Sequence, residues 1–231
     1  MKKNIALDFV MEKGIVDRYL DKMKVDPNHR FKSWDHCYKA FEDQTKKDKD
    51  DELALHLAFY LASWGMYRGG CGIFWKDYKV HIKTIGIIRK FYDLRDKWYG
   101  YEDITRIMEL HREIQGYYSG LKYYKAKDEI GLDVSATDTL ITKIMLGTIG
   151  CVPAMDDLFK TGAGIYPNKL FDEKLLGKII EFSERNKDEI QQYQCLIQAE
   201  IKCFYPPMKI VDMYFWQKGY DKYLEGKKAA E

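Results

Sequence analysis

The sequence predicts an all-α fold, a single compact orthogonal helical bundle around a buried central helix at about residues 53–67. Three observations carry that reading. Almost every apolar segment repeats with the helical period rather than with the two-residue alternation of a strand. No β-branched or aromatic run is bounded by an Asn-Gly hairpin signal. The segment from Leu53 to Tyr67 is apolar around most of its circumference, the pattern of a helix surrounded by others. A chain of 231 residues buries roughly 70% of its unfolded surface, so a disulfide framework is unnecessary. No repeat, linker or composition shift marks a boundary. One all-α domain over 1–225 with a disordered tail over 226–231 is the resulting organisation.

The elements follow in order. Ile15, Val16, Tyr19, Leu20 and Met23 form one stripe of a helix or helix pair within residues 5–23, and Val25-Asp26-Pro27-Asn28 ends it. Ser33 is read as the cap of a helix carrying Trp34, Cys37, Tyr38 and Phe41. The charged run Lys46 to Glu52 has too little apolar surface for a core and reads as a solvated loop, its acids at the positive end of the central helix. Gly69-Gly70-Cys71-Gly72 breaks that helix, either in a tight reversal or to let a ligand approach the backbone. Further helices are expected at about 79–91, 103–124, 137–149 and 154–161. Asp172 caps another that ends near Asn186, Asp188 begins the next, and Pro206-Pro207 introduces a last one that stops at Gly219. Within 137–159, Gly150 supplies the left-handed end of one helix and Pro153 pre-sets the first turn of the next, so two helices fold back on each other.

The net charge of +2, from 38 basic and 36 acidic residues, gives no sign of a strong general attraction to polyanions. The distribution is uneven. Residues 76–127 hold twelve Lys/Arg against seven Asp/Glu, whereas 172–200 hold four against seven, so a basic face is one reading and solvated helix faces are the other. Five widely spaced cysteines without a Cys-x-x-Cys read as reduced, mostly buried thiols of a cytoplasmic protein. Asp8 and Glu12 interrupt what would be a signal-peptide core, and the longest apolar run falls short of a membrane span, so no membrane partner is expected.

Lys143 lies seven residues before Gly150 and Asp156 six after it, so the two stand at similar heights if the helices are antiparallel. A desolvated lysine beside a carboxylate becomes an amine nucleophile or a proton-transfer pair. The structural alternative is that Leu140, Ile141, Ile144 and Met145 form the buried face, which puts Lys143 on the far side, and that Asp156 and Asp157 answer a helix dipole. Aromatic and basic residues interleave at 75–79, 91–101 and 117–125, a pattern that stacks bases while binding phosphates. Arg112, Lys122, Lys125 and Lys127 are thus the candidate contacts and DNA or RNA the candidate partner, although tyrosines also suit the rim of a helical core. His56 reads as a core histidine needing a partner such as Tyr60 or an acid on another helix, with a catalytic base as the other reading. His81 and His111 have no matching ligand nearby, so neither a metal nor a cofactor is implied.

The run from Lys143 through Val152-Pro153-Ala154-Met155-Asp156 resembles the part of helix-hairpin-helix DNA glycosylases in which a lysine-bearing helix is followed by a Pro-containing turn and an aspartate. The resemblance implies Asp156 as the acid supporting attack at the glycosidic carbon and Lys143 as the lysine that forms a Schiff base in some members. That family's Leu-Pro-Gly-Val-Gly hairpin is absent, with Ile130-Gly131-Leu132-Asp133-Val134 as the nearest approach. The stretches 30–38, 53–68, 140–156 and 205–216 together resemble a family of uncharacterised bacterial all-helical proteins, a likeness that brings no activity with it. Arg30 and His36 resemble the Arg-x(4-6)-His spacing of HEPN-type RNases, in which the pair positions and protonates groups at the scissile phosphate and two such motifs meet in a dimer. Two function classes follow: a nucleic-acid-associated helical protein, glycosylase-like through Asp156 and Lys143, and a non-catalytic helical module that binds a protein or a small ligand; a HEPN-like RNase is a further alternative.

Overall fold

Helical periodicity is realised as ten α-helices among the described residues, which are 7–42, 49–68, 70–125 and 130–229 of a computed structural model. In chain order they are α1 Ile15–Val25, α2 Lys32–Ala40, α3 Asp50–Ser63, α4 Ile82–Lys90, α5 Ile104–Ser119, α6 Asp138–Thr148, α7 Asp157–Gly162, α8 Glu173–Arg185, α9 Lys187–Ile201 and α10 Pro207–Lys228. Short 3-10 turns join some of them. A two-residue antiparallel ladder of β1 Lys122–Tyr123 with β2 Leu132–Asp133 is the one sheet among these residues, and the fold is all-α. The contacts divide the chain into two compact units, one of Met1–His29, Lys97–Ile104 and Cys151–Glu231, the other of Arg30–Asp96 and Thr105–Gly150.

In the unit that holds α2 to α6, α6 is the helix enclosed on every side, since every residue from Leu140 to Thr148 is buried. Trp34 of α2 donates its indole N–H to Leu146 O at 3.0 Å. Gly147 leaves the space into which the Tyr60 ring of α3 fits. The last carbonyls of a helix lack intrahelical donors, and Arg95 supplies them: its guanidinium donates to Thr148 O at the end of α6 and, at 2.9 Å, to Tyr38 O near the end of α2. Arg95 also lies 3.6 Å over the Tyr38 ring. A second buried network surrounds His81, whose Nδ1 is 2.5 Å from Tyr118 Oη and whose Nε2 is 2.8 Å from Tyr67 Oη. Thr84 donates to Tyr118 at 3.0 Å and extends this network.

In the other unit α10 is the spine. Its residues from Pro207 through Gln217 are buried, and α7 crosses it at Gly162 and Gly219, where a side chain on either glycine would collide with the backbone of the partner helix. Phe159, Phe182 and Phe215 stack edge-on or tilted at that crossing, 4.7–5.4 Å between centroids. Inside α10, Lys209 Nζ lies 3.3 Å from Asp212 and 3.4 Å from Tyr19 Oη, and Asp212 accepts the Ala154 amide at 3.0 Å. Asn186, fully buried, ties the segment before α1 down by accepting from Met11 N at 2.6 Å and donating to Phe9 O.

Several expectations are corrected. Of the segment read as helix from Ile5, residues 7–14 carry none, and α1 starts after Gly14, whose φ is 80°. Ser33 lies inside α2 with its hydroxyl buried and without a hydrogen-bond partner among the described residues, while Phe31 takes the cap position with no side-chain bond. The central apolar helix α3 is not enclosed: Leu55 and Phe59 are 55% and 62% exposed. The helix expected to reach Tyr124 ends at Ser119, because the chain then pairs as β1. Gly150 adopts φ 76° as expected, but α7 begins at Asp157, capped by Asp156, not beside Pro153. Gly219 does not stop α10; it sits inside the helix to admit α7, and α10 runs to Lys228, past Gly226. Lys46 to Asp48 and Gly69 lie outside the described residues.

Candidate functional site

The outward side of the α2–α3 pair brings histidines, lysines and carboxylates together. Trp34, Cys37 and Tyr38 turn one face of α2 inward, which leaves His36 and Lys39 on the exposed face. Leu53, Ala54, Leu57 and Leu61 do the same for α3, leaving Glu52, Leu55, His56 and Phe59 toward water. Arg30, just before α2, donates to Ser63 O at the end of α3 at 3.2 Å, and Lys49 before α3 lines the same groove as Glu42 beyond α2. The two helices therefore run antiparallel, and that register brings His36 opposite His56. Between them is an open groove of about 350 Å³ lined by His36, Lys39, Glu42, Lys49, Glu52 and His56.

His56 is a surface residue rather than a core histidine: its side chain is 37% exposed, and Nε2 lies 3.9 Å from Glu52 one turn earlier. Arg30 is also exposed, its guanidinium 5.2 Å above the Trp64 ring and fixed by the Ser63 carbonyl. One strip thus presents a cation, two imidazoles and two lysines, with two carboxylates beside them. Imidazole exchanges protons near neutral pH, and lysine and arginine hold phosphates, so the set suits acid–base work on a phosphodiester.

The residues singled out from the sequence fall differently. Lys143 is only 2% exposed, with Nζ 5.0 Å from the Trp64 ring centroid. The structural alternative put it on the far side of a buried face, but every residue of α6 from Leu140 to Thr148 is buried. Asp156 accepts Phe159 N at 3.0 Å as the cap of α7, so its carboxylate serves the helix end. The two residues belong to different units. Arg112 stands exposed on α5, and Lys122 in β1 is paired with Asp133 at 2.5 Å. Lys125 is exposed just after β1, and Lys127 lies outside the described residues. Other basic residues of that stretch are also matched by acids, Lys79 by Asp51, Lys90 by Glu113 and Arg106 by Asp93 and Glu109.

The buried histidines serve the fold. Burial pushes His81 down to about 3, so it is neutral, and raises Tyr67 to about 12 with smaller contributions from Asp77 and Cys71. His111 is held by Asp138 at 3.1 Å. A second groove, of about 310 Å³ in the other unit, has an apolar wall of Met11, Tyr193 and Leu196, but its Glu12 is paired with Lys218 and its Asp17 accepts from Tyr193. Among the described residues, no group of three or more His, Cys, Asp or Glu side chains could hold a metal ion, and no helix is long and apolar enough to cross a membrane.

The sequence signal for this site was partial. Arg30 and His36 were visible through their spacing, whereas His56, Lys39 and Lys49 were hidden because their role depends on α3 lying antiparallel to α2. No protein-family model matches the chain, and no curated protein or solved structure is detectably similar to it.

Proposed function

We propose that this is a nucleic-acid-associated helical protein that cleaves RNA, without a metal, in the α2–α3 groove. One observation carries the reading: His36 and His56 come from neighbouring helices to line the same groove with Lys39 and Lys49. The Arg30–His36 spacing, resembling that of HEPN-type RNases, agrees with it. In those enzymes a second motif comes from a dimer partner, whereas here His56 supplies the second imidazole within one chain.

The reaction needs no co-reactant. His36 takes the proton of a ribose 2′-hydroxyl as its oxygen attacks the adjacent phosphorus. The bond from phosphorus to the 5′-oxygen breaks, and His56, beside Glu52, gives a proton to the leaving oxygen. A 2′,3′-cyclic phosphate and a 5′-hydroxyl result, and the two rings exchange protonation states. Lys39 and Lys49 neutralise charge that develops on the phosphoryl oxygens.

The test is incubation of a labelled RNA strand with the protein in excess chelator, with the same sequence as DNA for comparison. Cleavage of RNA alone is expected, and His36→Ala and His56→Ala each lower its rate by about 10²- to 10⁴-fold. An intact RNA strand at low salt, across pH 5 to 8, refutes cleavage. Binding to RNA and DNA over a salt series tests the wider reading, since phosphate contacts make affinity fall steeply with salt. The glycosylase-like alternative has less support, because Lys143 is covered by Trp64 and Asp156 is engaged at a helix end. Release of a base from lesion-containing DNA, abolished by Asp156→Asn, would restore it.

A further inference from the structure

We infer that the exposed face of α3 beside the groove selects single-stranded RNA by stacking one unpaired base on Phe59, an inference that rests on the reading of the groove as an RNA-cleaving site. Phe59 is 62% exposed on α3, three residues after His56 and four before Ser63, so it lies on the same helix face between the imidazoles and the carbonyl that holds Arg30. Leu55, 55% exposed and four residues earlier, extends that apolar surface along α3. The order along the strip is cation, aromatic ring, imidazole pair, then two lysines. A strand laid along it places a phosphate at Arg30, a base on Phe59 and the next phosphate at His36 and His56.

The match is chemical as well as spatial. Base stacking uses the face of an aromatic ring and tolerates any base, while the guanidinium of Arg30, held at 3.2 Å by Ser63 O, is a fixed phosphate anchor. Within a duplex both faces of a base are already covered by its neighbours, so the ring can only take an unpaired one. Phe74 and Trp75 are also exposed in this unit, 5.4 Å apart and edge-on to each other, but they lie outside α2 and α3, the helices that carry the imidazoles.

Phe59→Ala, Phe59→Trp and the parent protein are compared by two measurements. Steady-state cleavage of a single strand is expected to show KM raised about 5- to 150-fold in Phe59→Ala, with kcat within about threefold and with Phe59→Trp restoring KM. A hairpin burying the same site in its stem is cut at least tenfold more slowly. The second measurement is anisotropy of a 2′-O-methyl strand, which has no nucleophile to react, and it is expected to show the same loss of affinity in Phe59→Ala. Unchanged affinity in Phe59→Ala, or equal cleavage of stem and single strand, overturns the inference. A shift in oligomeric state of Phe59→Ala by light scattering, with strand affinity intact, assigns this surface to a protein contact and also overturns it. If the strand binds through Phe59 but is never cut, stacking stands and the cleavage reading fails, so the two are separable.

Discussion

Lowering the pH from 7 to 5 should destabilise this protein by an amount that can be traced to one side chain, His81. Its ring is fully buried between Tyr67 and Tyr118, and burial moves it from an ordinary value of 6.5 down to about 3. The folded-state value is depressed, so between pH 6.5 and 3 the unfolded chain holds a proton here that the native chain does not, and stability falls as pH falls through that window. Each pH unit is worth about 1.4 kcal/mol, so the interval from 6.5 to 5 costs about 2 kcal/mol of a total that is typically 5–15 kcal/mol. Urea unfolding at pH 7 and pH 5 measures the loss in the parent protein and in His81→Gln, which keeps hydrogen-bonding capacity without titrating. The carboxylates contribute equally to both proteins, so the pH-dependent loss should be smaller by about 2 kcal/mol in the variant. A direct check is the His81 ring proton by NMR, whose shift should stay flat from pH 7 to pH 4.5. A midpoint near pH 6 for that proton, or identical pH dependence of the two proteins, refutes the reasoning.

The two kinds of glycine should respond oppositely to alanine. Gly162→Ala or Gly219→Ala drives a methyl group into the backbone of the crossing helix and should cost several kcal/mol, roughly 3 or more, by thermal or urea unfolding. Gly86→Ala in α4 and Gly116→Ala in α5 meet nothing within 4 Å and should stabilise by about 0.5–1 kcal/mol each. Lys209→Met removes the ammonium 3.3 Å from the buried Asp212 and should cost about 3–5 kcal/mol, and adding Asp212→Asn, which still accepts the Ala154 amide, should recover part of that loss. Thiol labelling of the native protein should modify Cys195 quickly and Cys71 more slowly, while Cys37, Cys151 and Cys203 react only after unfolding, burial holding the Cys37 and Cys151 thiols far above their usual range.

Local chemistry made most helices legible. Asp172 caps α8 by accepting Leu175 N at 2.8 Å, Pro207 opens α10, and Gly150 takes the left-handed conformation after α6, each for the reason its residue type suggests. The same reasoning failed where a residue serves a neighbour distant in sequence. Gly219 looks like a stop but is a point of contact with α7, and Pro153 looks like a helix start although the side-chain bond that starts α7 comes from Asp156.

The sequence by itself determined that the chain is helical, where most helices begin, and which side chains can exchange protons or hold phosphates. These are properties of a residue and its near neighbours, set by backbone propensity and by bonds within one turn. Tertiary structure decided which helices are enclosed and which polar groups share a surface. It covered α6, including Lys143, although its sequence is less uniformly apolar than that of α3, and it left Leu55 and Phe59 of α3 in water. It also brought His56 opposite His36, a pairing that depends on the antiparallel register of two helices and so has no signature in the spacing along either one.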